Sequence, residues 1–311
     1  MTENRDCQLN IDFLVLDFFD DFELHECVLR MDIVSGTLYL VGTPIGNLED
    51  MTFRAIEVLQ KVDTIAAEDT RHTGKLLHHF QIKTPQISYH EHNRLERIPD
   101  LLRRLQGGAS IALVTDAGMP CVSDPGYELV KACGDEGILV VPIPGVTAVI
   151  TGLAASGLRS DRFAFEGFLP AKENARVEML ERVRSEERTL IFYEAPHRMR
   201  ETLASMGRVF GPARELTIAR ELTKRHEEFW RGTVQGAIEL YTAKEPQGEY
   251  TLIVAGAIVN AAVLTEEQLK AEMRRLLEAG ESRSSISKQL ALQTDFPKRQ
   301  LYQWALELPD V

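Results

Sequence analysis

Short apolar runs alternate with stretches of helical spacing along the first half of the chain, and that alternation restricts the fold more than any other feature. The runs are Thr37-Leu-Tyr-Leu-Val-Gly42, Asp63-Thr-Ile-Ala-Ala67, Ser110-Ile-Ala-Leu-Val-Thr115 and Ile138-Leu-Val-Val-Pro142. Between and after them, residues 51–61, 72–80, 97–106 and 127–135 repeat apolar side chains with the period of a helix. Strands this short and this apolar are buried on both faces, and strands separated by helices form βαβ units in a mostly parallel sheet. Right-handed crossovers are expected throughout.

The pattern changes after Pro144-Gly145. A small-residue helix is expected over 146–156, strands over 163–168, 189–193, 215–219, 229–233 and 250–255, and helices over 174–185 and 197–210. The shorter spacing predicts a second α/β domain with a mixed sheet. From Thr265 the composition turns helical. Thr265 reads as an N-cap with Glu266 and Glu267 in the first turn, and Gly280 as the stop. A second helix is expected over 284–292, and Pro297 opens a third that runs through Trp304. The expected organisation is α/β, with two α/β domains at 36–145 and 146–260. A small all-α, helix-turn-helix-like domain follows at 264–311.

Residues 1–35 read as an extension outside that fold. They hold nine acids and two bases, a net charge of −7 out of −12 for the whole chain. Their apolar run is broken by Asp12, Asp17, Asp20 and Asp21, and the basic start of a secretory signal is missing. Met31 is a candidate start, because strand-like sequence begins just after it. No segment approaches the roughly 18 uninterrupted apolar residues of a membrane-spanning helix, so no membrane partner is expected. Cys7, Cys27, Cys121 and Cys133 form no C-x-x-C pair, which fits a reducing cytoplasm rather than a disulfide framework or a zinc ribbon.

Three Gly/Pro-rich loops follow three of the expected strands. They are Gly42-Thr-Pro-Ile-Gly46, the stretch from Asp116 to Gly126, and Pro142-Ile-Pro-Gly145-Val-Thr147. In an open parallel sheet the ligand sits beyond the C-terminal strand ends, so these loops should line one pocket. None has the P-loop spacing or the dinucleotide G-x-G-x-x-G, which argues against an NTPase or a nicotinamide enzyme. Asp116 and Asp124 suit a ligand with positive or hydroxyl groups. Ala67-Glu-Asp-Thr-Arg-His72 also follows a strand and should face the same end. His72, His78, His79, His90 and His92 make no ligand set at known spacing with a supporting carboxylate, so no metal is expected.

The chain resembles the tetrapyrrole-methylase superfamily of S-adenosylmethionine enzymes. Within it, the resemblance is closest to the family that methylates a cytidine ribose 2′-hydroxyl near the decoding centre of 16S rRNA. It rests on Leu40-Val-Gly-Thr-Pro-Ile-Gly-Asn-Leu48, Ala67-Glu-Asp-Thr-Arg-His72, His90-Glu-His-Asn93, residues 115–126, Pro144-Gly-Val-Thr147, Phe192-Tyr-Glu-Ala-Pro-His-Arg198 and Tyr250-Thr-Leu252. The resemblance implies S-adenosyl-L-methionine folded in a cleft between the two α/β domains. Pro44, Ile45, Asp116, Gly118, Met119, Thr147, Ala148, Tyr193 and Thr251 would hold it. It also implies a homodimer acting on 16S rRNA, within the small ribosomal subunit.

A ribose hydroxyl is a poor nucleophile at neutral pH, so a base within reach would help by about 10²–10⁴-fold. Glu68 or Asp69 could accept the proton, and Arg71 could hold an RNA phosphate. A surface salt-bridge cluster is the alternative for these three. His92 would border the substrate opening. Lys224 and Arg225 could contact RNA phosphates or simply solvate a strand end. Lys298 and Arg299 would project from the last helix toward RNA, while Leu301, Tyr302 and Trp304 mostly pack. Two other functions fit parts of the pattern. One is a C-methyltransferase acting on a precorrin-type tetrapyrrole; the other is a regulator that senses a ligand through the α/β lobes and binds DNA through the tail.

Overall fold

A computed structural model describes residues 32–258, 266–294 and 296–308. The expectations for residues 1–31, Met31 included, and for the Thr265 cap lie outside the described residues. The described chain divides into two compact units between Val146 and Thr147.

The first unit runs β1 (Thr37–Val41), α1 (Phe53–Lys61), β2 (Thr64–Ala67), α2 (Thr70–His79), β3 (Gln86–Ser88), α3 (Arg94–Gln106), β4 (Ile111–Val114), α4 (Tyr127–Asp135) and β5 (Leu139–Ile143). The five strands are all parallel, in the order β3-β2-β4-β1-β5. Side chains alternate across the sheet, as strand geometry requires. Tyr39, Ile65, Ala67, Ala112 and Val114 pack on one face with Ala55 and Val58 of α1 and Leu77 of α2. Leu38, Ala66, Ile111 and Leu113 pack on the other with Leu101 of α3 and Leu129 of α4. This is why β1, β2 and β4 read as unbroken apolar runs: neither face meets water; β5, at the sheet edge, reads the same but leaves Leu139 53% exposed.

The same alternation locates a crevice. The chain leaves β1 and β2 toward the face of α1 and α2. It leaves β4, which lies between them, toward the face of α3 and α4. Neighbouring strands whose connections part to opposite faces open a gap at their C-terminal ends. The loop after β4 stands in that gap.

The second unit holds α5 (Ala148–Ser156), β6 (Phe163–Phe168), α6 (Glu173–Arg182), β7 (Thr189–Glu194), α7 (Met199–Phe210), β8 (Glu215–Arg220), β9 (Glu228–Thr233), α8 (Val234–Ala243) and β10 (Tyr250–Val254). Its sheet is mixed, in the order β6-β7-β10-β8-β9, with only β6 and β7 parallel. Leu180 of α6, Leu203 of α7 and Ala237 of α8 pack on one face with Phe192, Ile218 and Leu252. Helix α5 lies on the other face. A Cβ added to Gly152 would sit 3.3 Å from the Thr251 methyl, and the Thr217 hydroxyl donates to the Ser156 carbonyl at 3.1 Å.

Three further helices, α9 (Glu266–Glu278), α10 (Arg283–Gln293) and α11 (Lys298–Glu307), share a core of Leu269, Met273, Ile286, Leu290, Leu301 and Trp304. Gly280 takes a left-handed φ of 87° after α9, as its place in the sequence predicts. Among the described residues, no helix is long and apolar enough to cross a membrane.

Two elements escape the sequence reading. Strand β3 is three residues long with one apolar side chain, too short to show a period. Helix α8 begins directly where β9 ends, with the Thr233 hydroxyl accepting from the Gly236 amide at 3.2 Å. No breaker separates the two.

Candidate active site

The loops after β1, β4 and β5 are tied together at the C-terminal edge of the first sheet. The Gly42 amide donates to the Ile143 carbonyl at 3.2 Å. Thr43 and Gly118 exchange backbone hydrogen bonds of 2.9 and 3.0 Å, and the Thr43 hydroxyl donates to the Thr115 carbonyl at 3.1 Å. Gly42 and Gly145 approach so closely that a Cβ on Gly42 would lie 2.7 Å from the Gly145 Cα and 2.7 Å from the Met119 sulfur. Gly42→Ala is therefore expected to force these loops apart, at a cost of about 1–3 kcal/mol for overpacking. Thermal unfolding and cofactor titration of that variant check this; native values in both would show that the close approach does not matter.

Past that junction, Ile45 lies 3.6 Å from where a Gly118 Cβ would be. Gly118, Cys121, Ser123 and Gly126 all have positive φ, so the loop after β4 coils back on itself. That path returns Asp124 to the strand end beside Glu68, Thr115 and Asp116.

Four carboxylates thus gather around the ends of β2 and β4, and their surroundings differ. Asp69 caps α2, accepting from the Arg71 amide at 2.8 Å, and grips the Arg71 guanidinium through bonds of 3.1 and 2.8 Å. That guanidinium holds the Asp69 carboxyl well below the usual carboxylate range. Glu68 Oε2 accepts from the Thr115 hydroxyl at 2.5 Å and from the Asp116 amide at 3.4 Å. Burial, reinforced by the Glu68 charge, raises the Asp116 carboxyl above its ordinary value. Burial pushes Asp124 up to about 6; a Thr115 hydrogen bond opposes the rise, and Glu68 and Asp116 add to it. Asp69 is consequently a poor proton acceptor, and Glu68 is the better placed of the two candidates.

The other sequence-predicted residues lie as follows. Pro44, Ile45, Asp116, Gly118 and Met119 sit on the tied loops, and Pro44, Ile45, Asp116 and Met119 are half-buried. The Thr147 hydroxyl caps α5 by accepting from the Ile150 amide at 3.3 Å, and Ala148 is the first residue of that helix. Tyr193 packs edge-on against Phe165 at 4.9 Å and tilts over Phe168 at 5.5 Å. Thr251 is its register partner on β10 and is buried. His92 is exposed beside the His90 ring. Lys224 differs from the open cation the sequence suggests: its ammonium is bound by Glu221 at 3.0 Å and Glu249 at 2.5 Å. Arg225 next to it is exposed, as are Lys298 and Arg299 at the start of α11. Leu301 and Trp304 pack, but Tyr302 is 39% exposed and points away from the helical core.

The motif 192–198 proves to be a corner lock. Phe192 is core, and the buried Glu194 accepts from the Ala195 amide at 2.8 Å and the Thr202 hydroxyl at 2.5 Å. Arg198 pairs with Glu194 and donates to the Leu169 carbonyl. Thr115 is the site residue that the sequence reading missed. Its only signal is a hydroxyl at the end of an apolar strand. Among the described residues, no group of three or more His, Cys, Asp and Glu side chains is placed to hold a metal.

The first unit thus carries a parallel sheet with tied glycine loops at one edge, and the second a mixed sheet. Residues 37–238 match the family described as tetrapyrrole (corrin/porphyrin) methylases, and the chain belongs to that family. A ribosomal RNA small subunit methyltransferase I from Synechocystis sp. is 58% identical over 274 residues, covering 88% of this chain and 98% of that protein. The protein of the same description from Bacillus subtilis is 46% identical over 273 residues, covering 86% and 93%. At that identity and coverage the chain falls in one family with both. A uroporphyrin-III C-methyl transferase from Thermus thermophilus, solved in complex with S-adenyl homocysteine, shares the fold. Its TM-score is 0.51 at 19% identity, over 70% of this chain and 97% of that one.

Proposed function

We propose that this protein transfers a methyl group from S-adenosyl-L-methionine to small-subunit ribosomal RNA, at the ribose 2′-hydroxyl of a cytidine in the decoding region of 16S rRNA. The observation that carries the reading is the 58% identity over nearly the whole length of a relative named for methylating that RNA. The donor set of the site fits the cofactor. Its sulfonium and amino groups are cationic, and Glu68, Asp116 and Asp124 bring carboxylates to one strand edge beside loops opened by Gly42, Gly118 and Gly145. When bound, the cofactor supplies an electrophilic methyl group on a good leaving group, so no metal is needed.

The roles assigned to the chain's own residues follow from their surroundings. Pro44, Ile45, Gly118 and Met119 offer apolar side chains and bare backbone to the cofactor, and Asp116 a carboxylate. Thr147, Ala148, Tyr193 and Thr251 are proposed as further cofactor contacts. Glu68 receives the proton of the attacking hydroxyl on the oxygen not held by Thr115. Arg71, whose side chain is 89% exposed, is proposed to meet a phosphate through the guanidinium edge that Asp69, bound at Nε and Nη2, leaves open. His92, Arg225, Lys298 and Arg299 are proposed to meet RNA, and Lys224 only if its two carboxylate partners let go. A cytoplasmic homodimer acting on the assembled small subunit completes the proposal.

The test is transfer of a radiolabelled methyl group from S-adenosyl-L-methionine to small subunits from cells lacking this enzyme. Label at one decoding-region ribose is the expected result. Cofactor binding with no label on any subunit would overturn the RNA assignment and point to a small-molecule acceptor.

A further inference from the structure

A chain of net charge −12 can grip RNA phosphates only where cations gather locally. One such gathering lies in the second unit, where β6 and β7 begin. Arg162, Arg182 and Arg188 line a cleft of about 340 Å³ together with Ser185, Glu186 and Glu187. At roughly 30 Å³ per water, that is room for a phosphate group and the atoms on either side of it.

Backbone hydrogen bonds fix the walls of the cleft. Strands β6 and β7 are parallel with Phe163 beside Thr189, so Arg162 and Arg188 stand abreast at the positions just before them. The Thr189 amide donates to the Arg162 carbonyl at 3.3 Å, and the Thr189 hydroxyl to the Arg159 carbonyl at 2.5 Å. The turn into β7 is held by the Ala257 amide, which donates to the Glu186 carbonyl at 2.6 Å. Arg214 donates to the Arg184 carbonyl of the same turn at 2.8 Å. A site fixed in this way loses little ordering entropy when an ion enters.

The three guanidinium groups are not equally occupied. Arg188 gives Nε and Nη2 to the two Glu186 oxygens at 2.9 and 2.8 Å, which leaves its Nη1 edge. Arg182 gives Nη2 to Glu178 at 2.6 Å, which leaves the rest of its fork. The Arg162 guanidinium is exposed and makes no hydrogen bond or ion pair among the described residues. Glu186 feels its charge, but both Glu186 oxygens face Arg188. Glu187, also exposed, is the carboxylate in the cleft that would oppose an anion.

We propose that this cleft holds a phosphate of the RNA substrate through Arg162, with the open edges of Arg182 and Arg188 and the Ser185 hydroxyl closing on the same group. The inference rests on the RNA reading above. Guanidinium forks match phosphate oxygens, and phosphate contacts set position without reading sequence. Two arginines abreast repel each other, and an anion between them removes that cost. Arg188 and Tyr193 are five residues apart along β7, about 17 Å at 3.3 Å per residue. The cleft therefore meets a phosphate remote from the opposite end of the strand and contributes to binding, not to chemistry.

The experiment measures affinity for naked 16S rRNA and for small subunits across roughly 50 to 200 mM salt. It compares the full native chain with Arg162→Ala, Arg162→Lys and Glu187→Gln. Arg162→Ala is expected to lower affinity for both about 10-fold, the size of one charge-assisted hydrogen bond. Its slope of log affinity against log salt should be shallower by about 0.7, the share of one phosphate contact on a single strand. It should melt with the native protein, because that guanidinium holds no hydrogen bond. Arg162→Lys should keep the slope and recover part of the affinity. Glu187→Gln should tighten binding by about 2–5-fold. Native affinity and native slope in Arg162→Ala would overturn the proposal. A loss for subunits with none for naked RNA would put an acidic protein in the cleft and overturn it as well. Phosphorus NMR with inorganic phosphate separates the two sources of the anion. Phosphate binding that Arg162→Ala abolishes, with RNA affinity left native, would make this a free-phosphate site. Native protein that binds naked RNA through Arg162 and methylates nothing would remove the methyl-transfer reading and leave the cleft standing.

Discussion

Glu68→Gln is expected to slow methyl transfer by about 10²–10⁴-fold, the range set by loss of a positioned general base. The amide keeps the volume of the side chain and an oxygen for the Thr115 hydroxyl and the Asp116 amide to bond, so the strand ends should stay in place. What it cannot do is take up a proton. Cofactor binding should change little, and the loss should appear in the single-turnover rate. Asp69→Ala is the control. It removes the cap of α2 and the grip on Arg71, with an expected stability cost of about 0.5–2 kcal/mol. Its effect on rate should be smaller, because the Asp69 carboxylate is already committed to Arg71. A native rate in Glu68→Gln, or a larger loss in Asp69→Ala, would remove Glu68 from the role.

The difference between those two carboxylates shows where the sequence stops informing. Both stand in one hexapeptide after a strand, and composition gives no reason to choose between them. The choice comes from partners far along the chain. Thr115 lies 47 positions from Glu68, and Asp116 lies 48. By contrast, Asp69 takes Arg71 two residues on. The sheet itself was readable because its central strands β1, β2 and β4 are buried on both faces and its helices keep their period. The tied loops were readable as glycine and proline after strands, although the Gly42–Gly145 approach joins positions that no local pattern connects. Strand β3 and helix α8 were missed for lack of a period in one and of a breaker before the other. The cation Lys224 looked open in sequence, but Glu249, 25 positions away, closes it.

Glu194→Ala is expected to be the most destabilising single change in the second unit. Glu194 is fully buried at the end of β7; the Ala195 amide and the Thr202 hydroxyl donate to it, and the Arg198 guanidinium lies 3.4 Å away as its counter-charge. Removing the carboxylate leaves a guanidinium that is 18% exposed without its counter-charge. Breaking a buried pair from one side costs about 3–5 kcal/mol. For a unit of this size that lowers the melting temperature by roughly 6–20 °C, at about 2–4 °C per kcal/mol. Glu194→Gln should recover part of the loss, since it restores volume and one acceptor but no charge. The double variant Glu194→Gln, Arg198→Met should be more stable than Glu194→Ala, because it leaves no buried charge alone. Differential scanning calorimetry of the four proteins decides the matter. If Glu194→Ala melts within about 2 °C of native, well under the shift that even 3 kcal/mol would give, the corner after β7 does not depend on the carboxylate. Motif 192–198 would then have to be explained by contacts that Glu194 does not make.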